Sequence, residues 1–297
     1  MNEYQAYIPL LASAKRVVKI DKGFSFDQKF VLDNRYLLRI FADENDARRR
    51  TEFETIQKLH VYSKYVPEAI EYGNIYEKKE AFMILTYLPG EDAEVSLKKL
   101  TNEEQYHAGY TAGEELKKLH KYPAPKNIPT WYEHKRQKTE KYLEQFESLE
   151  VDENVRAMLT SYIQDNMGQM QGQPNMFQHD DFHPSNLLIN DRKFGGIIDF
   201  QRMDWGDPIH DLHKLGFFSS RISVPFTRGI IDGYHSKTGI GNFWELYSLY
   251  SAMHIVSALV WGKQMGNFDK MLAYSLDVIH DHNRFNKTIP RWYEVIG

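Results

Sequence analysis

Residues 177–212 read FQHDDFHPSNLLINDRKFGGIIDFQRMDWGDPIHDL and carry oxygen-bearing side chains at spacings suited to phosphoryl transfer. That chemistry needs a carboxylate beside the attacking hydroxyl and hard oxygen ligands for a Mg²⁺ ion bridging nucleotide phosphates. Asp181, four intervening residues and then Asn186 place a base and a neutral metal ligand at the two ends of one loop. Asp199, just after an apolar pair, adds an anionic ligand. On this reading Asp181 is the catalytic base, and Asn186 with Asp199 holds the metal.

The element that must present them is a short hairpin. Leu187-Leu188-Ile189 and Ile197-Ile198 flank the turn-forming run Asn190-Asp191-Arg192-Lys193. A competing chemistry is metal-dependent hydrolysis, since His179, His183, His210 and His213 stand near Asp180, Asp181 and Asp199. His179 and His183 would share a side only on a helix. Pro184 turns His183 away from helical backbone, so His179 reads as a buried histidine bracing the loop.

His179-Asp180-Asp181 with Asn186, then Ile198-Asp199-Phe200 and Gly206-Asp207-Pro208 with Asp211-Leu212, resembles the aminoglycoside phosphotransferase family. This is the small-molecule branch of the protein-kinase-like fold. Gln201 follows Asp199-Phe200 where protein kinases have glycine, which favours that branch. Asp180 stands where the family usually has glycine. The resemblance implies an α+β, two-lobed fold with a small antiparallel-sheet lobe over residues 1–87 and a mainly helical lobe over 88–297. It implies ATP or GTP as phosphoryl donor, Mg²⁺ as cofactor and a small-molecule hydroxyl as acceptor. An aminoglycoside-type antibiotic is the name-giving acceptor; macrolides, choline, homoserine and sugar amines are alternatives, as is a catalytically silent nucleotide-binding protein.

The same resemblance assigns residues in the first lobe. Gly23 and Ser25, in the first inter-strand connection, correspond to the loop covering the phosphates. Arg39 takes the place of the strand-three cation, usually lysine, with Glu52 as its partner and Glu54 as the rival. Thr86, Tyr87 and Leu88 are placed at the hinge, where backbone amides and carbonyls meet the adenine edge. Asp207 and Asp211 are expected to support the catalytic loop.

The elements around these positions follow from pattern. Val17–Ile20, Lys29–Leu32 and Tyr36–Phe41 read as a three-stranded meander, and Asn45 or Asp46 as the cap of a helix reaching His60. Phe82–Leu88 reads as a buried strand ended by Pro89-Gly90. Thr101-Asn102-Glu103-Glu104 forms a capping box for a helix reaching His120. Trp131 is expected in a proline-punctuated loop, followed by an exposed helix over 135–149 and a second over 152–170. Beyond Phe217 the chain reads as aromatic-rich helices, in which Glu245, Asp269, Asp277 and Asp281 are candidate anchors for a cationic acceptor.

Composition narrows the classes. The 297 residues are 42% hydrophobic and 26% charged, with net charge −4. That gives no basic field for nucleic acid. With no cysteine, disulfides and thiolate metal sites are excluded, which fits a cytoplasmic setting. Met1-Asn2-Glu3-Tyr4 shows no signal-peptide pattern, and Phe243–Gly262 reads as a buried helix in place of a membrane span.

Overall fold

The structure, a computed structural model, describes residues 2–21, 26–235 and 241–294. After a short helix α1 (Pro9–Ser13), strands β1 (Val17–Ile20), β2 (Gln28–Leu32) and β3 (Tyr36–Ala42) form the expected antiparallel meander. Asp33 and Asn34, both at positive φ, make the tight β2–β3 turn. Helix α2 (Asp46–Tyr62) follows, then β4 (Ala69–Ile75) and β5 (Glu80–Thr86), completing a five-stranded sheet of order β1-β2-β3-β5-β4. Asp46 opens α2, and its carboxylate accepts from Tyr72 and Asn74, joining the helix to β4. The Asn45 side chain lies outside the described residues, as do Gly23 and Ser25.

Strand β5 is apolar on both faces for a structural reason. Phe82 and Ile84 pack with Leu38, Ile40, Leu11 and Ile8 on the α1 side. Ala81, Met83 and Leu85 face the opposite way, into a core shared with Ile56 and Leu59 of α2. The period-2 alternation of a strand with two covered faces accounts for the continuous run.

The helical part begins with a two-residue strand β6 (Glu91–Asp92) and helix α3 (Ala93–Ser96), then α4 (Asn102–Leu119) behind the capping box of Thr101 and Glu104. Helix α5 spans Trp131–Phe146 and so begins earlier than the sequence pattern suggests. Thr130 and Glu133 form a second capping box, and Trp131 is buried, donating from Nε1 to the Tyr250 hydroxyl at 2.9 Å. Helix α6 (Glu153–Asn166) follows, then β7 (Met176–Gln178), the hairpin β8 (Leu187–Asn190) and β9 (Lys193–Ile197), and β10 (Asp204–Gly206) paired with β7. Helices α7 (Ser220–Ile222), α8 (Val224–His235), α9 (Phe243–Gln264), α10 (Phe268–Asp281) and α11 (Arg291–Glu294) complete the chain.

Helix α9 is buried on nearly all sides, which explains its uniform apolarity. No helix among the described residues is long and apolar enough to cross a membrane. Helices α4 and α8 approach unusually closely. A Cβ added at Gly109 or Gly113 would strike the carbonyl oxygens of Phe226 and Ile230, and one at Gly229 or Gly233 those of Tyr106 and Tyr110. Glycines four apart on each helix thus let the two backbones touch.

Candidate active site

The hairpin is built to hold its open end still. Asp191 and Arg192 both take positive φ, the two-residue turn that matches strand twist. Arg192 then makes a two-pronged contact with Glu104, at 2.6 and 2.5 Å, pinning the turn to the start of α4. At the other end the Ile198 amide donates to the Asn186 carbonyl at 3.0 Å. Asn186 and Asp199 therefore stand on adjacent chains at the mouth of the hairpin. Asn186 Nδ2 donates to the Asp181 carbonyl at 3.0 Å and to Asp181 Oδ2 at 3.1 Å, bringing the two ends of the loop together. Asp199 is exposed and in left-handed backbone conformation.

His179 is wholly buried and links both halves of this arrangement. Its Nε2 lies 2.9 Å from the Ile198 carbonyl, and its Nδ1 accepts from the Asp181 amide at 3.2 Å. One nitrogen donates and the other accepts, so the ring is neutral, and burial lowers its pKa in agreement. The bracing role expected of His179 is thus what the geometry shows. Among the described residues no group of three or more His, Cys, Asp or Glu side chains is arranged to hold a metal ion. His179 and His183 flank the loop of Asp181, while His210 and His213 lie on the turn that carries Asp211.

Asp211 secures the same loop from below. Its two carboxylate oxygens accept from the His179 and Asp180 amides, each at 2.6 Å, and His120 Nε2 lies 3.0 Å away. Asp207 accepts from the Ile209 amide and from the Tyr250 hydroxyl, so it caps the turn that carries Asp211. Asp180 has φ +56°, a conformation natural to glycine and tolerated by aspartate. The backbone thus explains the family's glycine at this position. The added carboxylate lies 3.5 Å from His210, and burial raises its pKa against the pull of Lys214 and Lys135.

Around Asp181 the structure adds cations that spacing alone did not reveal. Lys214, buried, places Nζ 2.8 Å from Asp181 Oδ1, and His183 Nε2 lies 3.4 Å from the same oxygen. Burial alone would raise the Asp181 pKa; His183 and Lys214 outweigh it and hold the carboxyl well below the ordinary range.

In the first lobe Arg39 is buried, not an edge-strand surface arginine. Its Nη1 donates to Glu52 Oε1 at 2.7 Å, while Nε and Nη2 grip Asp27 Oδ2 at 3.0 and 2.6 Å. Arg49 closes the ring, reaching Asp27 Oδ1 at 2.5 Å and Glu52 Oε2 at 3.0 Å. Two carboxylates and two guanidiniums thus form a buried quartet of zero net charge. The arginine spreads these bonds over three separate nitrogens, Nη1 to Glu52 and Nε with Nη2 to Asp27, which the single nitrogen of a lysine would not reproduce. Burial opposes the charge on Arg39, but Glu52, Asp27 and the more distant Asp199 outweigh it and raise its pKa. Asp27 and Arg49 escaped the sequence pattern. Arg49 lies three residues before Glu52 and was within reach of helical spacing; Asp27, ahead of a strand, carried no signal.

At the expected hinge, the Thr86 amide donates to the Glu68 carbonyl and the Tyr87 amide to the Arg35 carbonyl, at 2.9 and 2.8 Å. Those two amides are used within the protein. Leu88 packs where a Cβ on Gly196 would sit, which seats this segment on β9. From the other side, Arg48 Nη2 reaches the Gln201 carbonyl at 3.1 Å and ties α2 to the Asp199 segment.

Comparison with known proteins agrees with this architecture. Residues 16–246 match the model of the phosphotransferase enzyme family. The chain superposes on the GDP complex of wild-type aminoglycoside 2'-phosphotransferase-IIIa with TM-score 0.69 and 18% identity, covering 93% of this chain and 96% of that one. It superposes on ADP-bound aminoglycoside phosphotransferase APH(2'')-Ib with TM-score 0.68 and 17% identity, over 98% of each chain. A ternary complex of APH(4)-Ia with AMP-PNP and hygromycin B gives TM-score 0.66 and 15% identity, over 93% and 96%. No curated protein sequence matches the chain. The family match spans the small sheet, the hairpin and the turn that anchors it: this chain belongs to the phosphotransferase enzyme family.

Proposed function

We propose that this enzyme transfers the γ-phosphate of ATP or GTP to a hydroxyl of a small molecule, with Asp181 as the residue that receives or orients the hydroxyl proton. The observation that supports it most is the joining of Asp181 to Asn186 at the mouth of a hairpin that also carries Asp199. In this reading the lobe of residues 1–87 covers the nucleotide and residues 88–297 hold the acceptor. The new bond forms between the acceptor oxygen and the γ-phosphorus. The bond from that phosphorus to the bridging oxygen breaks, and the nucleoside diphosphate leaves.

The donor set at Asn186 and Asp199 fits Mg²⁺. Asn186 gives its amide nitrogen to Asp181, so its carbonyl oxygen is the donor it has to offer, beside an exposed carboxylate; both are hard oxygen ligands. When bound there, the ion would neutralise phosphate charge. Arg39, set by Glu52 and Asp27, would face the phosphates, and Lys214 keeps Asp181 ionised and correctly turned.

An aminoglycoside-type acceptor is what the family resemblance favours, and hygromycin B in the APH(4)-Ia complex is such a molecule. The test is release of ADP or GDP, coupled to a spectrophotometric readout, with Mg²⁺ and a panel of hydroxylated acceptors. Acceptor-dependent release that Asp181→Asn abolishes supports the reading. Nucleotide binding without acceptor turnover anywhere in a broad panel would favour a catalytically silent nucleotide-binding protein.

A further inference from the structure

Gln201 stands two residues after Asp199, where protein kinases have glycine. Its side chain makes a contact that glycine could not. Turned with its oxygen toward helix α2, the Gln201 amide accepts from both terminal nitrogens of Arg49, from Nη1 at 2.6 Å and from Nη2. The same two nitrogens hold Glu52 and Asp27 with their other protons, so the amide oxygen sits in the notch between them. Arg48, the residue before, donates to the Gln201 carbonyl at 3.1 Å. Two consecutive arginines of α2 thus grip one residue beyond Asp199, by its side chain and by its backbone.

The two ends of this contact lead to the two charged grips of the proposed reaction. On the first-lobe side, Arg49 shares Asp27 and Glu52 with Arg39 of β3. Its guanidinium also rests 4.7 Å above the Phe41 ring, which limits how it can turn. On the other side, Gln201 belongs to the single turn Phe200–Arg202, and Asp199 is the residue that enters it. Phe200 is buried against His179, ring centres 5.0 Å apart, so the start of the turn is fixed beneath the catalytic loop. Asp199 is exposed, and its carboxylate does not cap the turn. Its placement therefore comes from the backbone on either side. Its charge nonetheless reaches Arg39, so the two residues face a common space.

We infer that Gln201, through Arg49, is a positioning residue that fixes Asp199 relative to Arg39, so that the metal ligand and the phosphate grip are set as one unit. The inference rests on the phosphotransfer reading above and assigns how its two charged grips are aligned. Losing the amide oxygen would remove the half of the tie that reaches the buried quartet. A ligand whose supporting contacts are loosened binds its metal about tenfold more weakly or worse. A metal ion shared between Asp199 and phosphates facing Arg39 tightens nucleotide binding only as far as the two grips are in register.

The experiment is calorimetry on the full chain with AMP-PNP and its guanine counterpart, each with and without Mg²⁺. It reads the factor by which Mg²⁺ tightens nucleotide binding. Gln201→Met keeps the side-chain length and removes the oxygen. It should cut that factor about tenfold while metal-free affinity stays within about twofold. Gln201→Glu keeps an oxygen of the same reach for Arg49 and should retain most of the factor. An unchanged factor in Gln201→Met would overturn the inference. So would an equal fall of affinity with and without Mg²⁺, which is what a merely structural role gives. A loss in Gln201→Glu as large as in Gln201→Met, or wild-type binding that Mg²⁺ does not tighten, would overturn it as well. Absence of nucleotide binding in the wild type would instead remove the phosphotransfer reading on which it rests.

Discussion

Asp181 is held by three kinds of contact, from Asn186, Lys214 and His183, and an amide can keep only the hydrogen bonds. Asp181→Asn is therefore expected to lower kcat by about 10³, the range of a lost general base, with nucleotide KM little changed. Steady-state kinetics with varied nucleotide separates the two effects. Within the quartet, Arg49→Met would leave Asp27 and Glu52 sharing one buried guanidinium. Breaking a buried pair in this way costs about 3 kcal/mol. Denaturant melts of Arg49→Met, Asp27→Asn and the double variant should show strong coupling; additive losses would deny that the four charges act together. The three oxygen-bearing residues were legible because their order follows from chemistry. Lys214 and Asp27 were not, since each reaches its partner across the fold from a position whose neighbours advertise nothing.

At the scale of elements, what was readable depended on whether a local signal existed. The hairpin turn and the Thr101 capping box carry their own chemistry in adjacent residues, and both are present. The start of α5 was missed although Thr130 and Glu133 spell the same box, because the nearby prolines argued for a loop. Asp180 stands where the family usually has glycine, and the underlying constraint is a left-handed backbone that no sequence pattern marks. The α4–α8 contact joins Gly109 and Gly113 to Gly229 and Gly233, which lie far along the chain, so no local pattern announces it. Gly113→Ala forces backbone apart and is expected to cost about 3 kcal/mol, read as a fall in denaturation midpoint at unchanged slope. Ala at Gly168, where an added Cβ meets nothing, serves as the control.

For the molecule as a whole, buried neutral histidines set the response to acid. Burial lowers His282 to about 4 and holds His210, His213 and His254 well below 6.5. Above about pH 6.5 these rings are neutral folded or unfolded and make no difference. Below it the unfolded chain gains protons that the native state refuses, so stability falls towards pH 4, each ring contributing up to about 1.4 kcal/mol per pH unit. Asp180 and Asp207, whose carboxyls are raised, bind protons earlier when folded and offset part of the loss near pH 4. Thermal melts between pH 7.5 and pH 4 should show a steady fall in Tm, beginning near about pH 6.5 where histidine titrates. A flat profile would mean that the rings titrate as if exposed.

The glycine contact between α4 and α8 also bears on how the enzyme is made. Its two halves are separated by residues 120–223, which include the whole β8–β9 hairpin and the turn that carries Asp211. A ribosome that has delivered Asp181, Asn186 and Asp199 has still not delivered the surface on which α4 must lie. The three candidate residues are thus synthesised inside a loop that closes when α8 emerges, at an entropic cost that depends weakly on its length. A chain released before residue 224 would own Asp181, Asn186 and Asp199 together with their local anchors and lack the surface on which α4 packs.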